Sequence, residues 1–101
     1  QHWVHYFHLK KGRNLSSLIL EKKLELNGTT KRIDLLVTEK TIPKILVECK
    51  APHIKITEKT FEQIARYNSI IGAKEIILSN GLQHIFAKFS ENHYVFSPFA
   101  Y

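Results

Sequence analysis

The chain has 101 residues, of which 44% are hydrophobic and 24% charged, which suits one globular domain with a single modest core. A chain this short cannot also hold an ATP-driven motor, and it contains no GxxxxGK[ST] phosphate-binding loop. The formal net charge of +6 favours a polyanionic partner such as nucleic acid, and no apolar run is long enough to cross a bilayer.

Cysteine use and the N-terminal residues bear on the cellular compartment. The single cysteine, Cys49, cannot form an internal disulfide and is typical of a reducing cytoplasm. The first residues lack the layout of a signal peptide and do not begin with Met. We therefore expect a cytoplasmic protein with no membrane partner, whose chain is a fragment or is trimmed at its ordered edge.

The first quarter of the sequence predicts a helix followed by a strand. Trp3, Tyr6 and Phe7 have helical spacing, which predicts the end of a helix that stops near Gly12. Residues 18–26 alternate as in a strand. One side of this strand is expected to carry Leu18, Leu20, Leu24 and Leu26, and the other side Ile19, Glu21, Lys23 and Glu25.

Turn-forming residues then separate two further strands. Asn27-Gly28 is typical of a hairpin turn and leads into a strand over 31–37. A short turn over 38–43 leads into a third strand over 44–50. Because these connections are short, the three strands are expected to form an antiparallel meander.

A second helix is predicted after the meander. Thr57 is a suitable N-cap for it, and Gly72 is a suitable residue for its C-terminal stop. Its buried face is expected to consist of Phe61, Ile64, Ala65 and Ile71.

The remaining residues predict three β segments. A short apolar strand over 75–79 is followed by an Asn80-Gly81 turn, a strand over 83–89 and an edge strand over 94–96. The predicted order is therefore helix, three strands, helix, strand and a C-terminal β extension. This order indicates an α+β fold with a mixed sheet, in which the second helix crosses over after the third strand.

The third strand and its neighbour hold the residues that indicate chemistry. Glu48 and Lys50 share one side of the strand, while Cys49 points to the apolar side as a core thiol. Asp34 lies among apolar residues of the preceding strand, where a carboxylate is costly to bury unless it is paired or bound to metal. Antiparallel pairing of the two strands can bring Asp34 beside Glu48.

Two carboxylates and one ammonium suit metal-dependent hydrolysis of phosphodiesters. Carboxylate oxygens are ligands for Mg²⁺, which can activate a water and offset charge at phosphorus. A lysine beside that water can orient or deprotonate it and stabilise the anionic phosphorane. The alternative is that the charges are structural ion pairs. Glu48 would then pair with Lys50, and Asp34 with Arg32 or Lys31.

The order of the motifs resembles that of a known family. The segments that carry the resemblance are Lys31-Arg-Ile-Asp34, Val47-Glu-Cys-Lys-Ala-Pro52, Phe61-Glu-Gln-Ile-Ala-Arg-Tyr-Asn68 and Ser79-Asn-Gly81. Together they resemble the N-terminal nuclease domain of the type I restriction enzyme R subunit, which belongs to the PD-(D/E)XK nuclease superfamily. The resemblance extends from about Trp3 to the C-terminus.

The resemblance implies a restriction-endonuclease-like αβββαβ core and a Mg²⁺-dependent DNA endonuclease, with Mn²⁺ as a substitute metal. Asp34 and Glu48 match the family's metal-binding carboxylates, and Lys50 matches its catalytic lysine. The backbone carbonyl of Cys49 is implied as a further metal ligand. DNA is the implied substrate, and restriction-modification subunits or a separate motor protein are implied partners.

Further implications concern the two helices. Gln63 and Tyr67 match the family's Q-x-x-x-Y motif, which supports the site and the engagement of DNA. The superfamily often has an acidic residue on its first helix, and we expect residues 1–101 to be a single domain that lacks the start of that helix. Glu21 is the nearest acidic candidate, although it lies on the first strand.

Two other function classes compete with the nuclease. One is a catalytically inactive nucleic-acid-binding module of the same fold, which lost activity together with a group on the missing helix. The other is a small structural protein whose charges are only ion pairs. Binding of Mg²⁺ or Mn²⁺ through Asp34 and Glu48 would separate the nuclease from both.

Overall fold

The structure of the protein, a computed structural model, describes residues 3, 6–10, 18–26 and 28–97. Within these ranges a π-helical segment, six strands and one longer helix follow one another. Their bounds are π-helix Tyr6–Lys10, β1 Leu18–Leu26, β2 Thr29–Glu39, β3 Ile42–Cys49, α1 Glu58–Ile71, β4 Glu75–Ser79, β5 His84–Ser90 and β6 His93–Ser97.

All six strands form one sheet, in the order in which they occur along the chain. Neighbouring strands are antiparallel except for β3 and β4, which run parallel. A parallel pair needs a long crossover connection, and α1 supplies it here. The predicted meander of β1, β2 and β3 is confirmed, and the fold is α+β with a mixed sheet.

The turn between β2 and β3 is shorter than the predicted 38–43. β2 continues to Glu39 and β3 begins at Ile42, so that only Lys40 and Thr41 lie between them. Both turn residues have positive φ, 52° and 67°. Two central residues with positive φ are typical of a type I′ hairpin turn, whose twist matches that of the strands. The expected turn was therefore too long by four residues.

Helix α1 begins and ends at the predicted residues. The hydroxyl of Thr57 accepts a hydrogen bond from the Thr60 backbone N–H, and the Thr60 hydroxyl accepts one from the backbone N–H of Thr57. At the other end Gly72 adopts φ 78° and donates its N–H to the carbonyl of Asn68. These two caps satisfy backbone groups that the helix itself leaves unpaired.

The core has two parts, one on each face of the sheet. The first cluster contains α1 residues Phe61 and Ile64, with Ala65 and Ile71 packed against it, as predicted. The second cluster contains Trp3 and Phe7 from the N-terminal segment. The strand residues of the first cluster are Ile33, Leu36, Leu46, Ile76, Leu78 and Ala87. The strand residues of the second cluster are Leu35, Val37, Ile45, Val47, Ile77 and Phe86.

The β1–β2 ribbon departs from simple alternation. Ile33 packs in the first cluster and Leu35 in the second, although residues two positions apart on a regular strand share one face. On β1, Leu24 packs against the first cluster and Leu18 against the second, so the expected single apolar side is wrong. The β1–β2 ribbon thus twists near Asp34, so that side chains before and after this point pack on different faces of the sheet.

Some expectations fall on residues that the structure leaves undescribed. These are the helix stop near Gly12, Asn27 of the first hairpin turn, and the side chains of Leu20, Glu21 and Leu26. Within the described ranges, no helix is both long enough and apolar enough to cross a membrane.

Candidate active site

Asp34 lies where the paired parts of β2 and β3 end. The register that pairs Leu35 with Val47 puts Asp34 across from Glu48. The Asp34 Oδ2 atom accepts a hydrogen bond of 2.8 Å from the backbone N–H of Cys49. This bond fixes one oxygen of the carboxylate, and so fixes the direction of the other, at the end of β3.

Glu48 is a buried carboxyl group beside Asp34. The residue is only 4% exposed. The pKa of Glu48 is raised to about 7, because burial and a side-chain hydrogen bond with Asp34 raise it by more than the positive charge of Lys31 lowers it. The sequence-predicted neighbours Asp34 and Glu48 are therefore brought together, in surroundings that favour the protonated form of Glu48.

Lys31 is the cation in contact with Glu48. Its Nζ lies 3.2 Å from Glu48 Oε2, in a pair whose side chains are 22% and 5% exposed. The sequence had suggested Lys31 only as an alternative partner of Asp34, and Lys50 as the partner of Glu48. Alternation on a regular strand puts positions 31 and 34 on opposite faces, so it does not predict that Lys31 contacts Glu48, the neighbour of Asp34.

Tyr67 reaches the same site from α1. The Lys31 Nζ lies over its ring, 5.6 Å from the ring centroid, which is within cation–π range. Tyr67 is half-buried, whereas Gln63, one turn earlier on the helix, is exposed. Of the two motif residues, Tyr67 is thus joined to the carboxyl pair through Lys31.

Lys50 follows directly after the last residue of β3. Its backbone N–H donates a 2.7 Å hydrogen bond to the carbonyl of Ser79, which extends the contact between β3 and β4. The half-buried residue lines a cavity of about 460 Å³ together with Cys49, Ser79, Asn80 and His84. Lys50 therefore lies next to the carboxyl pair in sequence and at the wall of an open cavity.

Cys49 packs against the second cluster, as the sequence predicted for a core thiol. The pKa of the Cys49 thiol is raised to about 11, mainly by burial and also by the negative charges of Asp34 and Glu48. The thiol is therefore protonated at neutral pH and is not a nucleophile. The role expected for the Cys49 backbone carbonyl as a metal ligand stays a prediction.

Asn80 is a residue whose role the sequence indicated only through the Ser79-Asn-Gly81 motif. Its Nδ2 donates to the carbonyl of Ile54, and its Oδ1 accepts from the backbone N–H groups of Leu82 and Gln83. These bonds tie the loop that follows Lys50 to the β4–β5 turn. Asn80 is buried, so this amide fixes the wall of the cavity next to Lys50.

The donor set fits a hard divalent cation that needs few protein ligands. Mg²⁺ is bound through one or two carboxylates and keeps several waters, and Asp34 and Glu48 supply two carboxyl groups in hydrogen-bonding contact. Among the described residues, no group of three or more His, Cys, Asp and Glu side chains could hold a metal ion.

These features define an α+β domain with a carboxyl pair and a neighbouring lysine at one end of its central strands. The family to which the chain belongs is described as type I restriction enzyme R protein N terminus, and the match covers residues 1–99. The chain is therefore related to the R subunits of restriction enzymes. Comparisons with curated proteins and with solved structures gave no significant match.

Proposed function

We propose that this chain is a metal-dependent DNA endonuclease domain of the PD-(D/E)XK superfamily, which hydrolyses phosphodiester bonds. The observation that carries the proposal is the contact between the buried carboxyl of Glu48 and that of Asp34, on adjacent strands. Lys50 follows two residues after Glu48, as the superfamily's motif requires. The family match supports a restriction-enzyme role, and the order of helices and strands is compatible with the αβββαβ core.

Asp34, Glu48 and the backbone carbonyl of Cys49 would hold Mg²⁺, with Mn²⁺ as a substitute. When bound, the ion supplies Lewis-acid activation of a water and charge neutralisation at the phosphate. The Cys49 N–H keeps the Asp34 carboxylate oriented, because it occupies Oδ2. Holding this carboxylate in place reduces the reorganisation that binding an ion requires.

Lys50 would act on the attacking water. Its ammonium orients or deprotonates that water and stabilises negative charge on the phosphorane. Gln63 and Tyr67 lie four residues apart on α1 and would support the lysine, the water or the DNA from the helix side. The substrate is DNA in the cytoplasm, held mainly by phosphate contacts of a chain whose net charge is +6. Restriction-modification subunits or a separate motor protein would be its partners.

The test is a plasmid-nicking assay with Mn²⁺ on the parent and on Lys50→Ala. Cleavage should fall by roughly two orders of magnitude or more, the scale of a positioned acid–base or electrostatic group, while Mn²⁺ binding by calorimetry is retained. Lys44→Ala is the matched control, because it removes the same charge near the opposite end of β3 and should cut like the parent. Gln63→Ala should lose less activity than Lys50→Ala.

Three outcomes would contradict this proposal or a part of it. A parent that binds DNA but does not cut it with Mn²⁺ would be the inactive nucleic-acid-binding module of the same fold. A Lys50→Ala variant that cuts like the parent would remove Lys50 from the active site. Equal loss of activity in Lys44→Ala would show that the effect arises from overall charge and not from the site.

A further inference from the structure

The cation at the carboxyl pair comes from β2. Lys31 Nζ lies 3.2 Å from Glu48 Oε2, and the same atom lies 5.6 Å from the centre of the Tyr67 ring. The ammonium is thus held between a carboxyl group on β3 and an aromatic ring on α1. The Lys31 ammonium therefore connects β2, β3 and α1.

A positive charge nearby favours the ionised form of this carboxyl pair, in which Glu48 is buried and Asp34 half-buried. Two carboxyl groups in contact disfavour each other's ionisation, and burial adds a desolvation penalty. Lys31 offsets part of both effects at Glu48. A divalent metal ion bound to the same carboxylates would offset more of them.

The lysine and the metal ion are therefore competitors. A unit positive charge within a few ångströms of a divalent cation repels it strongly at the dielectric of a partly buried site. The carboxylate oxygen that lies 3.2 Å from the Lys31 ammonium is also an oxygen of one of the two metal-binding carboxyl groups. A metal ion bound to that oxygen would lie within a few ångströms of the Lys31 ammonium and would be repelled by it.

We propose that Lys31 is an internal counter-ion, which occupies the cation position at Glu48 in the metal-free protein and leaves it when the metal ion binds. The four-carbon stem of lysine allows the ammonium to swing aside without movement of the strand. The Tyr67 ring gives it a second contact that keeps it at the border of the site. This inference rests on the proposed metal-dependent function, and it assigns to Lys31 the control of metal affinity.

The experiment measures Mn²⁺ affinity by titration calorimetry in mildly alkaline buffer, where protons compete least for Glu48. Lys31→Gln should bind Mn²⁺ about tenfold more tightly than the parent, because a repelling charge is gone. Lys31→Arg keeps the charge and should bind as the parent does. Lys44→Gln removes an equal charge from an exposed pair with Glu39 and should also bind as the parent does.

Thermal unfolding supplies a second readout. Without metal, Lys31→Gln should melt below the parent, because Glu48 has lost its counter-charge, and saturating Mn²⁺ should raise its Tm more than it raises that of the parent. Lys31→Met, which keeps the apolar stem over Tyr67, replaces Lys31→Gln if the latter does not fold.

The results separate this inference from the proposed function. If the parent binds Mn²⁺ through Asp34, and the Lys31 variants bind it with the parent's affinity or more weakly, only the counter-ion role is overturned. If the parent binds no Mn²⁺ at all, both proposals are overturned. A lower Tm in Lys31→Gln without tighter Mn²⁺ binding would make Lys31 a structural partner alone.

Discussion

The β2–β3 hairpin carries a lysine–glutamate pair towards each of its ends, and the two pairs lie in different surroundings. At the turn end, Lys44 Nζ lies 3.8 Å from Glu39 Oε2, with side chains 36% and 57% exposed. At the opposite end, called here the open end, β2 begins and β3 ends. There Lys31 Nζ lies 3.2 Å from Glu48 Oε2, with side chains 22% and 5% exposed. The residue types are the same and the distances are similar, so burial is the main difference.

Burial changes what a glutamate can do. Water and salt screen the exposed pair, and such pairs typically contribute about 0–1 kcal/mol to stability. At the open end, burial and the neighbouring Asp34 raise the pKa of Glu48 to about 7. A carboxyl group with that pKa exchanges its proton, or accepts a different cation, at a modest energetic cost. The same pair of residue types is therefore a solvated contact at one end and a candidate site at the other.

The largest expected difference between the two ends is in metal binding and cleavage. Asp34→Ala and Glu48→Ala should each lose measurable Mn²⁺ binding and DNA cleavage together, because a magnesium site with few protein ligands cannot spare one. Glu39→Ala, which removes a carboxylate from the turn end, should bind and cut like the parent. Calorimetry and a nicking assay on the same samples check this. Parental binding and cleavage by Asp34→Ala or Glu48→Ala would place the active site elsewhere.

The second-largest expected difference between the two ends of the hairpin is in the pH dependence of the free energy of unfolding. Glu48 has its pKa raised from 4.5 to about 7 in the folded protein, so the native state binds the proton more tightly than the unfolded chain does. Stability associated with this group is present below pH 4.5 and is lost as the pH rises through about 7, a change of about 3 kcal/mol. Urea unfolding in EDTA from acidic to neutral pH should show this loss in the parent.

Glu48→Gln should flatten that part of the stability curve, because the amide does not titrate. Glu39→Gln, at the exposed end, should keep the parental slope. If Glu48→Gln and the parent lose stability equally over this pH range, then Glu48 is ionised in the folded protein at acidic pH and its burial has less effect than we infer.

The sequence predicted the contact of Asp34 with Glu48 but not the cation beside it. Local hydrophobic alternation and short turns set the antiparallel register of β2 and β3, and that register brings the carboxyl groups together. The contact of Lys31 with Glu48 depends on how the β1–β2 ribbon turns near Asp34, where Ile33 and Leu35 pack in different clusters. That turn results from packing against α1 and the N-terminal segment, which alternation along one strand does not encode.

Buried polar residues of the helix were also beyond sequence analysis. Asn68 was not expected in the buried face of α1, yet its amide donates to the Ala73 carbonyl and to the Tyr94 hydroxyl and accepts from the Ala73 N–H. Its partners lie in the loop after the helix and on β6, so the position becomes favourable only once the sheet is complete. The caps at Thr57 and Gly72 could be predicted because their bonds are local.

The contact of Lys31 with Tyr67 should have a smaller effect than the titration of Glu48. Tyr67→Leu, made in the parent and in Lys31→Gln, gives a double-mutant cycle for this pair. The coupling free energy should be about 0.5–1 kcal/mol, the usual range for a partly exposed cation–π contact, and Tyr67→Phe should keep it. Chemical unfolding measures all of these variants. Strict additivity of Tyr67→Leu and Lys31→Gln would show that the ring only packs against the sheet.

The smallest effect is expected at the turn end. In a double-mutant cycle of Glu39→Gln and Lys44→Gln, the coupling free energy should be no more than about 0.5 kcal/mol, because both side chains are more exposed to water than those of the Lys31–Glu48 pair. High salt should reduce it further, since exposed charges are screened over a distance of about 10 Å at 0.1 M ionic strength. The equivalent cycle of Lys31→Gln and Glu48→Gln should give a larger and less salt-dependent value. Equal coupling at the two ends would mean that burial does not distinguish them, and would remove the main physical argument for a specialised site at Glu48.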